Sequence, residues 1–123
     1  VTTITLANLG DVPGQGAVAN HATSYSVQLA DTGTVFTNFG ALGTVIFTLP
    51  TPGAFLLNYT FIVIAAQTLE ILLPGGTFMY FGGQESASGG NMQSSTPGCA
   101  ASLTAISTTI YVATSLTGTW TLT

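Results

Sequence analysis

The sequence predicts an all-β fold: a β-sandwich or jelly-roll-like barrel of about eight or nine short antiparallel strands, with a flexible N-terminal arm over residues 1–20 and a single β-domain over residues 21–123. Three observations carry this expectation. No stretch keeps apolar residues at helical three- and four-residue spacing, β-branched and aromatic residues dominate throughout, and Gly, Pro and Ser clusters break the chain at short intervals.

Taken in order, 2-TTITLA-7 and 23-TSYSVQL-29 alternate, separated by Gly10, Pro13, Gly14 and Gly16, which read as a linker-like arm. Thr34-Val35-Phe36 resumes a strand. In 44-TVIFTLP-50, Val45, Phe47 and Leu49 share one sheet face, and Pro50 with Pro52-Gly53 ends the strand. The segment 58-NYTFIVIA-65 is apolar at both odd and even positions, as suits a central strand covered on both sides. In 68-TLEILLP-74, Leu69, Ile71 and Leu73 face inward and Glu70 outward. Pro74-Gly75-Gly76 is a turn and 77-TFMYF-81 a short aromatic strand. The stretch 82–98 lacks apolar periodicity and is rich in Gly and Ser, so it reads as the longest loop and a candidate contact surface. Strands over 101–107, 109–115 and 118–123 complete the chain, joined by turns short enough for hairpins.

Composition excludes several functions. The chain has 123 residues, 46% hydrophobic and only 3% charged, against roughly 25% charged in an ordinary soluble domain. It contains no Lys or Arg, and Asp11, Asp31, Glu70 and Glu85 set a formal net charge of −4. Without cations to displace counterions from phosphates, nucleic acid is not an expected partner. A polybasic membrane patch and the positive n-region of an export signal are missing for the same reason. The most apolar window, 55–73, is interrupted by Asn58, Gln67 and Glu70, so no membrane span is expected. One cysteine, Cys99, precludes an intrachain disulfide and reads as a small buried thiol; with one His besides, neither a metal site nor a cofactor is implied.

The candidate chemistry is thin. Asp31-Thr32-Gly33 spells the triplet of aspartic proteases, in which two aspartates share a proton across a dimer axis. The same triplet is expected of a turn, where Asp accepts a backbone hydrogen bond and Gly supplies positive φ; directly after it Thr34-Val35-Phe36 resumes a strand, where that protease family has a small residue. A Ser24, His21 and Asp11 or Asp31 triad lacks a Gly-x-Ser-x-Gly elbow. Glu70 and Glu85 are the best-suited carboxylate pair for glycoside chemistry, with Trp120 the sole Trp platform. Gly14-Gln15-Gly16 and Gly89-Gly90 do not open helices after strands, so they read as loops rather than phosphate cradles. Asn58-Tyr59-Thr60 is formally a glycosylation sequon inside a strand. No residue is assigned a catalytic, cofactor-binding or metal-binding role.

The segments 31-DTGTVFTNFGALGTVIFTLP-50, 58-NYTFIVIAAQTLEI-71 and 101-ASLTAISTTIYVATSLTGTW-120 resemble a small β-domain recurrent in structural proteins of tailed bacteriophages. The likeness runs from about Ser26 to Trp120 and rests on the Phe36-Thr37-Asn38 turn, the Phe47-Thr48-Leu49-Pro50 strand end and Gly118-Thr119-Trp120. The resemblance implies a non-enzymatic virion protein: a capsid decoration (cement) protein on the outer capsid surface, present in the host cytoplasm before assembly. Its expected partners are the major capsid protein and copies of itself, as a homotrimer, with the Gly-rich arm adding a strand to a neighbour. A tail-fibre or spike receptor-binding module is the alternative, and a dimeric aspartic protease using Asp31 a remote one.

Overall fold

A computed structural model describes residues 17–53 and 56–123. Strand is nearly the only regular secondary structure among the described residues: β1 (Val18–Asn20), β2 (Tyr25–Ser26), β3 (Val35–Thr37), β4 (Val45–Thr48), β5 (Asn58–Ile62), β6 (Leu69–Leu72), β7 (Phe78–Phe81), β8 (Gln84–Glu85), β9 (Asn91–Ser94), β10 (Ala100–Ala105), β11 (Ile110–Thr117) and β12 (Thr121–Leu122), with one 3-10 turn at Leu29–Asp31. They form a seven-stranded sheet, β1-β3-β5-β10-β11-β7-β8, and a five-stranded sheet, β12-β9-β6-β4-β2. The all-β sandwich expected from the sequence is present. Among the described residues it has more strands than expected because β2, β8 and β12 are two-residue pieces.

The pairing differs from the expected antiparallel scheme: β1–β3, β3–β5, β2–β4, β4–β6 and β7–β11 are parallel. The reason lies in how the short turns are used. From β1 to β6 the chain alternates between the two sheets, so each strand meets its sheet neighbour only after a full circuit of the core and runs in the same direction. Parallel neighbours need a crossover connection, and here the opposite sheet supplies it. Of the expected closing hairpins, β10–β11 forms, with a bulge at Ser102/Leu103, whereas β12 crosses to pair with β9. The expected 82–98 loop is also corrected: β9 lies within it, between β6 and β12, with Met92 fully buried. Its inward residues are Met92 and Ser94 and its outward ones Asn91 and Gln93, too polar a set to register as a strand.

Alternation places the core as expected elsewhere. Val45, Phe47, Leu69 and Ile71 are fully buried, and Glu70 sits half-buried on the outer face. Across the interface Phe36 and Phe61 stack at 5.4 Å, and Phe47 meets each of them at 5.3 Å. The β5 strand buries Tyr59 and Phe61, and Val63 is buried just past its end, but Ile62 is only half-buried and Ile64 is exposed, so one face of the 58–65 segment is open rather than covered. The expected arm lies outside the described residues up to residue 16. Its last three residues, Val18–Asn20, are the edge strand β1, where Asn20 Oδ1 accepts from Thr37 Oγ1 at 2.6 Å.

Candidate functional site

The alternating path gathers the loops at two ends of the sandwich. Connections 21–24, 38–44, 63–68, 95–99 and 118–120 meet at one end, here called the Asn38 end; 27–34, 49–57, 73–77, 86–90 and 106–109 meet at the other, the Asp31 end.

At the Asp31 end the protease-like triplet closes a 3-10 turn. Asp31 Oδ2 accepts from the Tyr25 hydroxyl at 2.8 Å and from the Gln28 backbone N–H at 2.8 Å. The Asp31 carbonyl accepts from Thr34 N–H, and Gly33 at φ +86° lets the chain enter β3. Thr32 Oγ1 accepts from Asn58 N–H at 3.0 Å. The carboxylate therefore organises a corner, reaching back three residues rather than forward as a simple Asp turn would. Its hydrogen bond raises the Tyr25 hydroxyl above the usual tyrosine pKa, with burial and the Asp31 charge adding to it. Tyr59, whose hydroxyl donates to Gln28 O at 2.9 Å, is pushed up to about 12, by burial first and then by the Asp31 charge.

The other candidate groups are dispersed. His21 stacks on Tyr25 with ring centroids 4.2 Å apart and meets Phe47 edge-on at 5.6 Å. Tyr25 lies between His21 and Asp31, bonded to the latter through its far hydroxyl. Ser24 Oγ accepts from Ile46 N–H at 3.0 Å, a sheet-edge bond, and Asp11 lies outside the described residues. Glu70 and Glu85 belong to different sheets, and Glu85 accepts from the Tyr80 hydroxyl. Trp120 is buried and donates to Thr117 O at 3.1 Å, leaving no stacking platform. The 14–16 stretch lies outside the described residues; Gly89-Gly90 packs against the chain end, since a Cβ on Gly90 would meet Thr123 O at 2.1 Å. Asn58 is exposed, its Oδ1 accepting from Thr104 Oγ1. Cys99 is buried as expected. Among the described residues no group of three or more His, Cys, Asp or Glu gathers, and no helix is long and apolar enough to cross a membrane.

The Asn38 end is built around a residue that the sequence marks only as part of a turn. Asn38 is fully buried, and its Oδ1 accepts from the N–H groups of Ile64 and Ala65 at 2.8 and 2.9 Å. Its Nδ2 donates to the carbonyls of Ala65 and Gln67, each at 3.2 Å. The side chain thereby clamps the β3–β4 loop to the β5–β6 loop. Beyond the clamp, Phe39 is 60% exposed, Leu42 96% and Ile64 44%. Beside them lies a groove of about 420 Å³ between Ala22, Thr23, Ser24, Gly40, Leu42, Gly43 and Thr44. Leu29, Leu56 and Ile106 are exposed at the Asp31 end. The Asn38-end surface thus combines exposed apolar side chains with loops tied together by four side-chain hydrogen bonds. No protein-family model matches the chain, and no curated protein matches it.

Proposed function

We propose that the chain is a non-enzymatic structural module of a virion surface, acting as a capsid decoration (cement) protein that binds the major capsid protein and copies of itself. The observation that supports this reading is the placement of six exposed apolar side chains, Leu29, Phe39, Leu42, Leu56, Ile64 and Ile106, at the two loop ends of a sandwich whose described candidate carboxylates are spent on structure or held apart, while Val18 and Tyr80 are exposed on strands. A protein that works by contact needs apolar surface on rigid loops and no converging reactive groups. Its work is mechanical: each subunit buries apolar area at roughly 25 cal/mol per Å² before association costs, and repetition over a lattice turns small contacts into stiffness.

The tail-fibre or spike reading needs the 82–98 loop as a receptor-contacting surface. Inclusion of β9 in the five-stranded sheet removes the middle of that surface and favours decoration. The Asp31 protease reading is weakened by two hydrogen bonds on the one carboxylate oxygen and by a triplet that closes a 3-10 turn. Antibody labelling of intact particles tests the proposal. Label spread over the head supports decoration, label at the tail tip transfers the chain to the receptor-binding class, and particles without label overturn the virion setting.

A further inference from the structure

We infer that the Asn38 end is the face through which two copies of this chain join, in an isologous contact that seats the Leu42 of each copy in the groove of the other. This deepens the decoration reading only where that reading expects self-association. Shape is the first ground. Leu42 is 96% exposed and lines a groove together with Ala22, Gly40 and Gly43, so a protruding side chain stands beside a hollow bordered by small residues. A two-fold contact needs that self-complementarity, because residue i of one copy meets residue j of the other and the reverse.

Charge is the second ground, and it selects this end over the other. The chain has acids and no Lys or Arg, so a copy cannot neutralise an acid on its twin, and an acid at a contact between copies stays uncompensated. The five loops of the Asn38 end contain no Asp or Glu. Leu29, Leu56 and Ile106 share their end with Asp31, and Glu70 occupies the outer face of the five-stranded sheet.

The test is molar mass by light scattering across a concentration series of the full chain, with circular dichroism to confirm that each variant is folded. Leu42→Glu puts an acid on the protruding side chain, at a position so exposed that the fold does not depend on it. Gly43→Phe fills the hollow without adding charge; no atom lies within 4 Å of a Cβ there. Leu56→Glu places the same acid at the opposite end. The expected result is a self-associating parent, at least tenfold weaker association for Leu42→Glu and Gly43→Phe, and unchanged association for Leu56→Glu. An oligomer that survives both Asn38-end changes, or that only Leu56→Glu dissolves, overturns this contact and leaves the decoration reading standing. A parent that stays monomeric overturns it too, while particle labelling decides the decoration reading separately.

Discussion

Asp31 and Asn38 show how single polar side chains hold loops that have little apolar area of their own. Asp31 is half-buried, and its two hydrogen bonds converge on one oxygen. Asp31→Asn keeps an acceptor but loses the charge, so a loss of about 1 kcal/mol is expected, rising to about 2 kcal/mol for Asp31→Ala. Urea denaturation measures both, and a protease role would instead show loss of peptidase activity at unchanged stability. Asn38 matters more because it is itself fully buried and makes four hydrogen bonds to main-chain groups of the β5–β6 loop. Asn38→Ala strands two N–H groups and the Gln67 carbonyl, while Ala65 O keeps the Gln67 N–H, and is expected to cost about 3 kcal/mol by the same measurement; a change under about 1 kcal/mol would mean that water replaces the amide. The tyrosines give a pH signature. All four, Tyr25, Tyr59, Tyr80 and Tyr111, are raised, Tyr25 and Tyr80 chiefly by donating to Asp31 and Glu85, Tyr59 and Tyr111 chiefly by burial. A folded pKa above the unfolded one gives stability that is whole below the unfolded value of about 10 and is lost as pH rises toward the folded value, about 12 for Tyr59. Tyrosinate absorbance from the buried Tyr59 and Tyr111 is therefore expected to appear together with unfolding, and ionisation of all four tyrosines in a folded protein near pH 10 would contradict their burial.

At the scale of elements, what the sequence reveals is the face a residue takes, and what it conceals is the sheet a strand joins. Val45, Phe47 and Leu49 read correctly as inward because period-two alternation is a property of the pleat alone. The parallel pairing of β2, β4 and β6 is not legible in that way, since a short turn looks the same whether it returns within a sheet or crosses to the one opposite. The β9 strand is hidden because Met92 is its only large apolar residue, and the Asn38 clamp because its partners lie 26 to 29 residues away. Gly118 illustrates a crossing that depends on contact. It lies just past the end of β11 at φ +79°, and a Cβ there would come within 2.2 Å of Cys99 Sγ, whereas Gly33 at φ +86° has open space. Gly33→Ala should thus cost about 1 kcal/mol for backbone strain alone, and Gly118→Ala clearly more. Adding Cys99→Ala should recover part of the Gly118→Ala loss in a double-mutant cycle. Additive losses would show that the thiol is not what the turn must clear.

For the whole molecule, the lack of cations turns an ordinary acid titration into a one-way change. The four carboxylates are the only charged side chains at neutral pH, and the isoelectric point is about 4.1. A typical protein regains net charge below its isoelectric point because Lys and Arg remain protonated. This chain has no Lys or Arg to do so. Net charge is what keeps copies apart in solution, and here little else would repel them: the exposed surface carries Val18, Phe39, Leu42, Leu56 and Ile106 at 60% exposure or more. Sheet edges contribute less to this hazard, because β1, β2, β8 and β12 expose only two or three residues each, the short edges that limit strand-to-strand growth. Light scattering on acidification should therefore rise as pH approaches 4.1 and should stay high in stronger acid instead of falling again. Leu42→Glu should lower the plateau more than Leu56→Glu does near neutrality, where the added acid is ionised, and the two should converge once it is protonated. Recovery of a clear solution below the isoelectric point would show that residual positive charge suffices, and that apolar loop ends do not govern how copies of this chain meet.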